Sequence, residues 1–200
     1  MPRIALAILY TPSIRNYAEI AVRNRETYCR RHGYDLLVAD DVIDPGRPPA
    51  WSKILHVLKH LPRYDWIFWT DADALVMNLA LPIERIIDER YNLIISGKYP
   101  KAPKVCSGEF LIRSCDWSLR YLRAVYDDHA KSPWWEQQSM INLLTQWRDG
   151  IKILPFGAIS KRTHNYCPGD WMIHFPGMAN EKRLALMRKY AVSIEPRSAP

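Results

Sequence analysis

Trp66-Ile67-Phe68-Trp69-Thr70-Asp71-Ala72-Asp73-Ala74-Leu75-Val76 opens as an apolar, aromatic run and changes within one residue into two carboxylates. The run has strand character and no polar alternation, so the strand is expected to be covered on both faces. It delivers Asp71 and Asp73 at its carboxyl end, and in open α/β sheets that end borders the ligand crevice. Two unpaired carboxylates there are costly without a cation. Their oxygens suit hard divalent ions such as Mn²⁺ and Mg²⁺, which take one or two protein carboxylates and complete the shell with phosphate oxygens. Asp-x-Asp alone is a common pattern, whose plain alternative is a capping Asp71 beside a solvated Asp73. The buried strand before it favours the metal.

Upstream, the chain alternates. Ile4 to Tyr10 is a continuous apolar run bounded by Thr11-Pro12-Ser13, as in a central strand. A helix is expected from Asn16 to His32, with Gly33 suited to the position just past its end. Asp35 to Ala39 reads as a strand and the Pro-rich Asp40 to Pro49 as a loop. Trp51, Ile54, Leu55, Leu58 and Leu61 recur at helical spacing, and Pro62 stops that helix. Strand, helix, strand, helix, strand in that order predicts parallel crossovers in an α/β sheet.

Downstream, Leu93 to Ser96 and Gly108 to Arg113 read as strands, separated by the basic, Pro-rich loop Tyr99 to Lys104. Leu119, Leu122 and Val125 mark a helix. A second helix follows Ser132-Pro133, with Met140, Ile141, Leu144 and Trp147 on one face. Lys152 to Pro155 is a short strand, and the last 20 residues read as a charged helix fraying from Pro196. No composition break divides the chain, so residues 1–200 are expected to form one domain.

The 200 residues are 48% apolar and 12% aromatic, which predicts a packed globule. Eight Trp and eleven Tyr exceed the needs of a core this size, so some should line a binding surface. A net charge of +7 suits a phosphate-bearing ligand. The basic residues are dispersed in pairs, such as Arg23/Arg25 and Lys161/Arg162, which argues against nucleic acid as a partner; a basic flank also suits an anionic membrane surface. Cys29, Cys106, Cys115 and Cys167 form no CxxC pair and read as reduced thiols of a cytoplasmic protein. The apolar segment after Met1 is too short for a signal peptide or a membrane span, so a soluble chain is expected.

Six further residues bear chemistry. His174, in Met172-Ile173-His174-Phe175-Pro176-Gly177, is either a buried core histidine or a third metal ligand; imidazole suits Mn²⁺ better than Mg²⁺. Gly177 would let backbone approach a phosphate, or is a plain turn glycine. Glu136, Gln137 and Gln138 open a helix, where they satisfy free N–H groups or point into a crevice to hold sugar hydroxyls. Lys53, in a first helical turn, opposes the helix dipole and favours an anionic partner.

The strings NRETYCRRHGYDL, WSKILHVLKHLPRYDWIFWTDADAL, GEFLIRSCDWS, EQQSMINLL, HNY and GDWMIHFPG, in that order from Asn24 to Gly177, resemble glycosyltransferase family 34, the galactosyl- and xylosyltransferase group. The resemblance implies a single Rossmann-like GT-A domain with a mostly parallel sheet flanked by helices. Its donor-nucleotide half would cover residues 1–100, its acceptor side 101–180 and its C-terminal helix and tail 181–200. It implies a metal-dependent, retaining transfer from a nucleotide sugar, UDP-linked, to a glycan acceptor. Asp71, Asp73 and His174 would hold Mn²⁺ (or Mg²⁺), and Ala72 would lie with the acidic pair in the donor site. Gly177 would sit beside the diphosphate, Thr11 near the base, and Lys53 with Lys182 or Arg183 near the leaving group. Glu136 and Gln138 would contact sugar and acceptor; Gln137 stands where some plant members carry Asp. Eukaryotic members carry an N-terminal anchor and longer stems, so this chain is expected to be a short soluble member. No carboxylate stands out as a covalent nucleophile, which favours a front-face route.

Two other readings remain open. A nucleotidyltransferase would want a Gly-rich basic loop after the first strand, and Thr11-Pro12-Ser13-Ile14-Arg15 is not one. A basic, aromatic-rich module binding glycan or nucleic acid would bind insensitively to EDTA and steeply with salt.

Overall fold

The computed structural model describes residues 2–99 and 102–192. The first strand, β1 (Ile4–Leu9), is buried throughout. Its residues alternate between two cores, Ala5, Ala7 and Leu9 facing one and Ile4, Leu6 and Ile8 the other side. Helix α1 (Arg15–His32) covers the second face with Ala18, Ala21 and Tyr28. It ends where Gly33, at φ 75°, donates to Cys29 O at 2.8 Å, a left-handed cap that glycine adopts without strain. After β2 (Asp35–Ala39), helix α2 (Ser52–His60) packs Ile54 and Val57 on the first face. It leads into β3 (Trp66–Thr70), buried at every residue.

The remaining elements are β4 (Ala74–Val76), β5 (Leu93–Tyr99), β6 (Ala102–Arg113), α3 (Asp116–Asp127), α4 (Trp135–Leu143), β7 (Ile151–Leu154), β8 (Ser160–Arg162), β9 (Met172–His174) and α5 (Asn180–Val192). The main sheet runs β2-β1-β3-β6-β5-β7, and β6 is its antiparallel member. The alternation over the first 75 residues thus becomes the expected parallel unit. A second sheet, β4-β9-β8, pairs Ala74 with His174 and lies beside the end of β3.

The chain departs from expectation in three places. Tyr99 to Lys104 is not simply a loop, because β5 extends to Tyr99 and β6 begins at Ala102, with Gly97 opposite Val105. Hairpin pairing overrides a Pro- and Lys-rich composition here; Pro100 and Lys101 lie outside the described residues. Helix α4 ends at Leu143, short of Trp147. The three-residue strands β4, β8 and β9 are too short to show periodicity. The fraying expected from Pro196 also falls outside the described residues.

One irregularity shapes the site. Ile95 pairs with Phe110 but Ser96 pairs with Cys106, so Ser107, Gly108 and Glu109 bulge out of the β5 ladder. On its other side Glu109 still pairs with Thr70. A bulge re-aims side chains, and this one lies against the end of β3.

Candidate active site

The turn after β3 is held from behind by α1. Arg25, fully buried, donates to Thr70 Oγ1 at 2.8 Å, Ala74 O at 2.6 Å and Asp71 O at 3.2 Å. One guanidinium therefore clamps the backbone that carries both aspartates. Burial lowers its pKa to about 10, against the pull of Glu109 and the aspartates, so it stays charged at neutral pH. Asn24 exchanges two bonds with the Val76 backbone, at 2.9 and 2.8 Å, in place of a neighbouring strand.

Asp71 Oδ1 accepts from Trp69 Nε1 at 2.8 Å and lies 2.9 Å from Lys53 Nζ. Asp73 Oδ1 is 3.1 Å from His174 Nε2, and Asp73 Oδ2 is 3.4 Å from Arg183 Nε. The far ring nitrogen, His174 Nδ1, is 3.2 Å from Glu109 Oε1, while Glu109 Oε2 accepts from Ser160 Oγ at 2.8 Å. His174 fits against β6 because Gly108 has no side chain: a Cβ there would come 2.5 Å from the His174 Cε1 atom.

Buried together, Asp73, Glu109 and His174 perturb one another. Burial disfavours the charged imidazole, but Glu109 and Asp73 outweigh it and raise the His174 pKa well above 6.5. Burial works against ionised Asp73 too, and His174 with Arg183 overcomes it, so that carboxyl is lowered. Burial raises Glu109. The Lys53 ammonium is held charged by Asp71 and Glu136 despite its burial.

These residues fit a divalent cation. Asp71, Asp73 and His174 each offer one ligand atom, all within 4.8 Å of one another. Two carboxylates and an imidazole suit Mn²⁺. The Glu109 carboxylate lies against the imidazole from the other side, its Oε1 3.2 Å from His174 Nδ1.

The cluster forms the floor of a cavity of about 840 Å³ beyond the carboxyl ends of β1 and β3. Leu9, Tyr10 and Thr11 line one side, and Trp134, Trp135, Glu136 and Gln137 another. Gly177 borders it at φ 68°, with nothing within 4 Å of where a Cβ would stand. Lys53 Nζ bonds Glu136 Oε1 at 2.7 Å and Ser107 O at 2.9 Å, so its anionic partners come from the chain itself.

Thr11, Lys53, Asp71, Ala72, Asp73, Glu136, His174 and Gly177 all line this cavity. Two expected residues do not. Gln138 points away and donates to Asn142 Oδ1 at 2.9 Å, so helix phase brings Gln137 to the cavity instead. Lys182 is exposed, while Arg183, one residue on, reaches Asp73 and the Phe175 carbonyl. Arg25 and Glu109 went unread. The signal for Arg25 was its place on the stripe Ala21, Arg25, Tyr28; Glu109 sits in a bulge that no pattern announced.

The fold is that of the GT-A glycosyltransferases. A glycosyltransferase involved in glycosylating the major capsid of PBCV-1 superposes with a TM-score of 0.78 at 17% identity, covering 94% of this chain and 100% of that one. A Drosophila β-1,4-galactosyltransferase 7, in complex with manganese, UDP-Gal and xylobiose, gives 0.57 at 15%, covering 88% and 72%. Residues 9–97 match the model of the galactosyl transferase GMA12/MNN10 family, glycosyltransferase family 34. The chain is 36% identical over 115 residues to probable glycosyltransferase 6 of Oryza sativa subsp. japonica, covering 52% of this chain and 23% of that one. It is 30% identical over 111 residues to galactomannan galactosyltransferase 1 of Cyamopsis tetragonoloba, covering 50% and 25%. The chain thus spans about a quarter of the length of these curated relatives. Among the described residues no helix is long and apolar enough to cross a membrane.

Proposed function

We propose that the chain is a glycosyltransferase that moves a sugar from a nucleoside diphosphate, UDP in the first instance, to a hydroxyl of a glycan acceptor. Mn²⁺ is its cofactor and the anomeric configuration is retained. The observation that carries this reading is the meeting of Asp71 and Asp73 with His174, from a strand a hundred residues on, at the floor of one cavity. The manganese and UDP-Gal bound by the Drosophila structure support the same choice of donor and ion.

A divalent cation held by Asp71, Asp73 and His174 would offset the negative charge that builds on the departing diphosphate. The chain's own groups do the rest. Arg183 fixes Asp73 and adds positive charge on the same side. Gly177 leaves room for phosphate oxygens against bare backbone. Leu9 to Thr11 form the base side, and Glu136 with Gln137 the sugar and acceptor side. Glu136 Oε1 is occupied by Lys53 and by Ser107 Oγ at 2.9 Å, which orients the carboxylate and suits it to hold a sugar hydroxyl. Transfer then follows a front-face route, with the acceptor entering on the leaving-group side.

Two experiments test this. Asp71→Asn and Asp73→Asn should each lower Mn²⁺-dependent donor turnover by about a hundredfold or more while keeping the circular dichroism of the parent. Undiminished turnover in either variant removes the metal from the mechanism. A glycosyl adduct trapped on Glu136, seen by mass spectrometry, would replace the front-face route with a covalent one.

A further inference from the structure

We propose that Cys106, Glu109 and His174 form a second cation site, selective for Zn²⁺ and exclusive of the site at Asp71 and Asp73. Cys106 Sγ, a Glu109 carboxylate oxygen and a His174 ring nitrogen lie within 4.8 Å of one another. Bonds of about 2.0–2.3 Å in a tetrahedron hold donors roughly 3.3–3.8 Å apart, so closure needs shifts of about 1 Å. Cys106 and Glu109 lie on β6, at either end of the bulged stretch, and His174 comes from β9 of the second sheet, fitting close against β6 at Gly108. A thiolate, an imidazole and a carboxylate make a set that Zn²⁺ takes readily and that Mn²⁺ and Mg²⁺ do not prefer.

Glu109 is a buried carboxylate already aimed at the imidazole. Its side chain is 1% exposed, one oxygen is engaged by Ser160 at 2.8 Å, and the other faces His174 Nδ1 at 3.2 Å. Cys106 is half-buried and lines the cavity, which gives an ion an entry path and an open fourth position for water.

Exclusivity follows from the ring. His174 turns Nε2 to Asp73 and Nδ1 to Glu109. A neutral imidazole has one lone pair to give and a proton on the other nitrogen. With the proton on Nδ1, the lone pair serves the aspartates and Glu109 accepts the N–H. With the proton on Nε2, the lone pair serves Cys106 and Glu109. Each Zn²⁺ bound also releases the Cys106 thiol proton to buffer. The site holds whether or not the chain transfers a sugar, and a Zn²⁺ bound there takes from Mn²⁺ its imidazole ligand.

Co²⁺ is the probe, because thiolate coordination gives it a near-ultraviolet charge-transfer band. Titration of the purified chain should develop that band, and Zn²⁺ should bleach it. Cys106→Ser should lack the band, while Asp71→Asn should keep it and lose Mn²⁺ binding measured by electron paramagnetic resonance. In the parent, saturating Zn²⁺ should weaken Mn²⁺ binding by about tenfold or more, and Cys106→Ser should relieve most of that loss. A parent without the band, or a band unchanged in Cys106→Ser, overturns the proposal. So does Zn²⁺ binding that is lost in Asp71→Asn and unaltered in Cys106→Ser, which would put the ion on the aspartates. Matching circular dichroism of the variants separates either result from misfolding.

Discussion

The Lys53 ammonium lies 2.7 Å from Glu136 Oε1, and the two side chains are 5% and 4% exposed. This ion pair joins α2 to α4 across the cavity floor, and the same ammonium reaches Asp71. Removing one partner of a buried pair leaves the other charge uncompensated, at a cost of about 3–5 kcal/mol. Lys53→Met should therefore lower the unfolding free energy by about that amount. Adding Glu136→Gln should return part of it. A double-mutant cycle by denaturant titration checks this, and a coupling near zero would mean the pair is incidental.

Arg25 makes a second buried charge structural. Arg25→Ala strips three acceptors in the Thr70 to Ala74 turn of their donor and should destabilise the fold by about 2–4 kcal/mol. Arg25→Lys keeps the charge but not the fork, so it should keep part of the stability and loosen Mn²⁺ binding. Thermal melts beside Mn²⁺ titrations would show this; tight Mn²⁺ binding in Arg25→Lys would argue against the clamp.

The histidine makes cation affinity depend on pH. Without an ion, His174 is protonated beyond its ordinary 6.5, and a metal must displace that proton. Mn²⁺ affinity should rise by up to about tenfold per pH unit until the raised pKa is passed. Calorimetry in two buffers of different ionisation enthalpy should register the released proton; affinity flat with pH would count against His174 as ligand. For the metal-free chain the signs are opposite at the two partners. The raised His174 contributes stability that is complete below 6.5 and lost as pH rises through its folded value. The lowered Asp73 contributes stability complete above 3.8 and lost as pH falls through its own. Their joint contribution is fullest between those two values.

Trp135 stands at the cavity mouth, 45% exposed and at φ 45°, a conformation that a bulky side chain rarely adopts. Its flat ring offers a surface on which an acceptor sugar can stack. Trp135→Ala should raise the acceptor KM by about tenfold, the equivalent of roughly 1–1.5 kcal/mol of stacking, and leave donor hydrolysis without acceptor within about twofold. An unchanged acceptor KM would move the acceptor elsewhere.

The parts legible in advance were those where one residue's neighbours announce its setting. Continuous apolar runs disclosed β1 and β3, and the abrupt switch to Asp71 and Asp73 marked the floor of the site. For His174 the residues left two readings, core histidine or ligand, because β9 has three residues and no period, and the resemblance favoured the ligand. Gln138 and Lys182 were each one residue out of phase with the cavity, because motif matching assigns a segment while helix rotation decides which neighbour faces inward. Arg25 hid among the charges of α1: by type it reads as solvent-facing, and only its position on the apolar stripe betrays it. Glu109 depends on a bulge created by pairing with β5, a contact no local window contains.

The pairing of Ala74 with His174 has a consequence for how the protein comes into being. While the ribosome is still making the middle of the chain, the aspartates exist but the imidazole does not. A polypeptide stopped before Met172 would hold a half-made receptor, with acid groups and no nitrogen to complete them. A cation that needs all three groups is captured only after β9 has folded back onto β4.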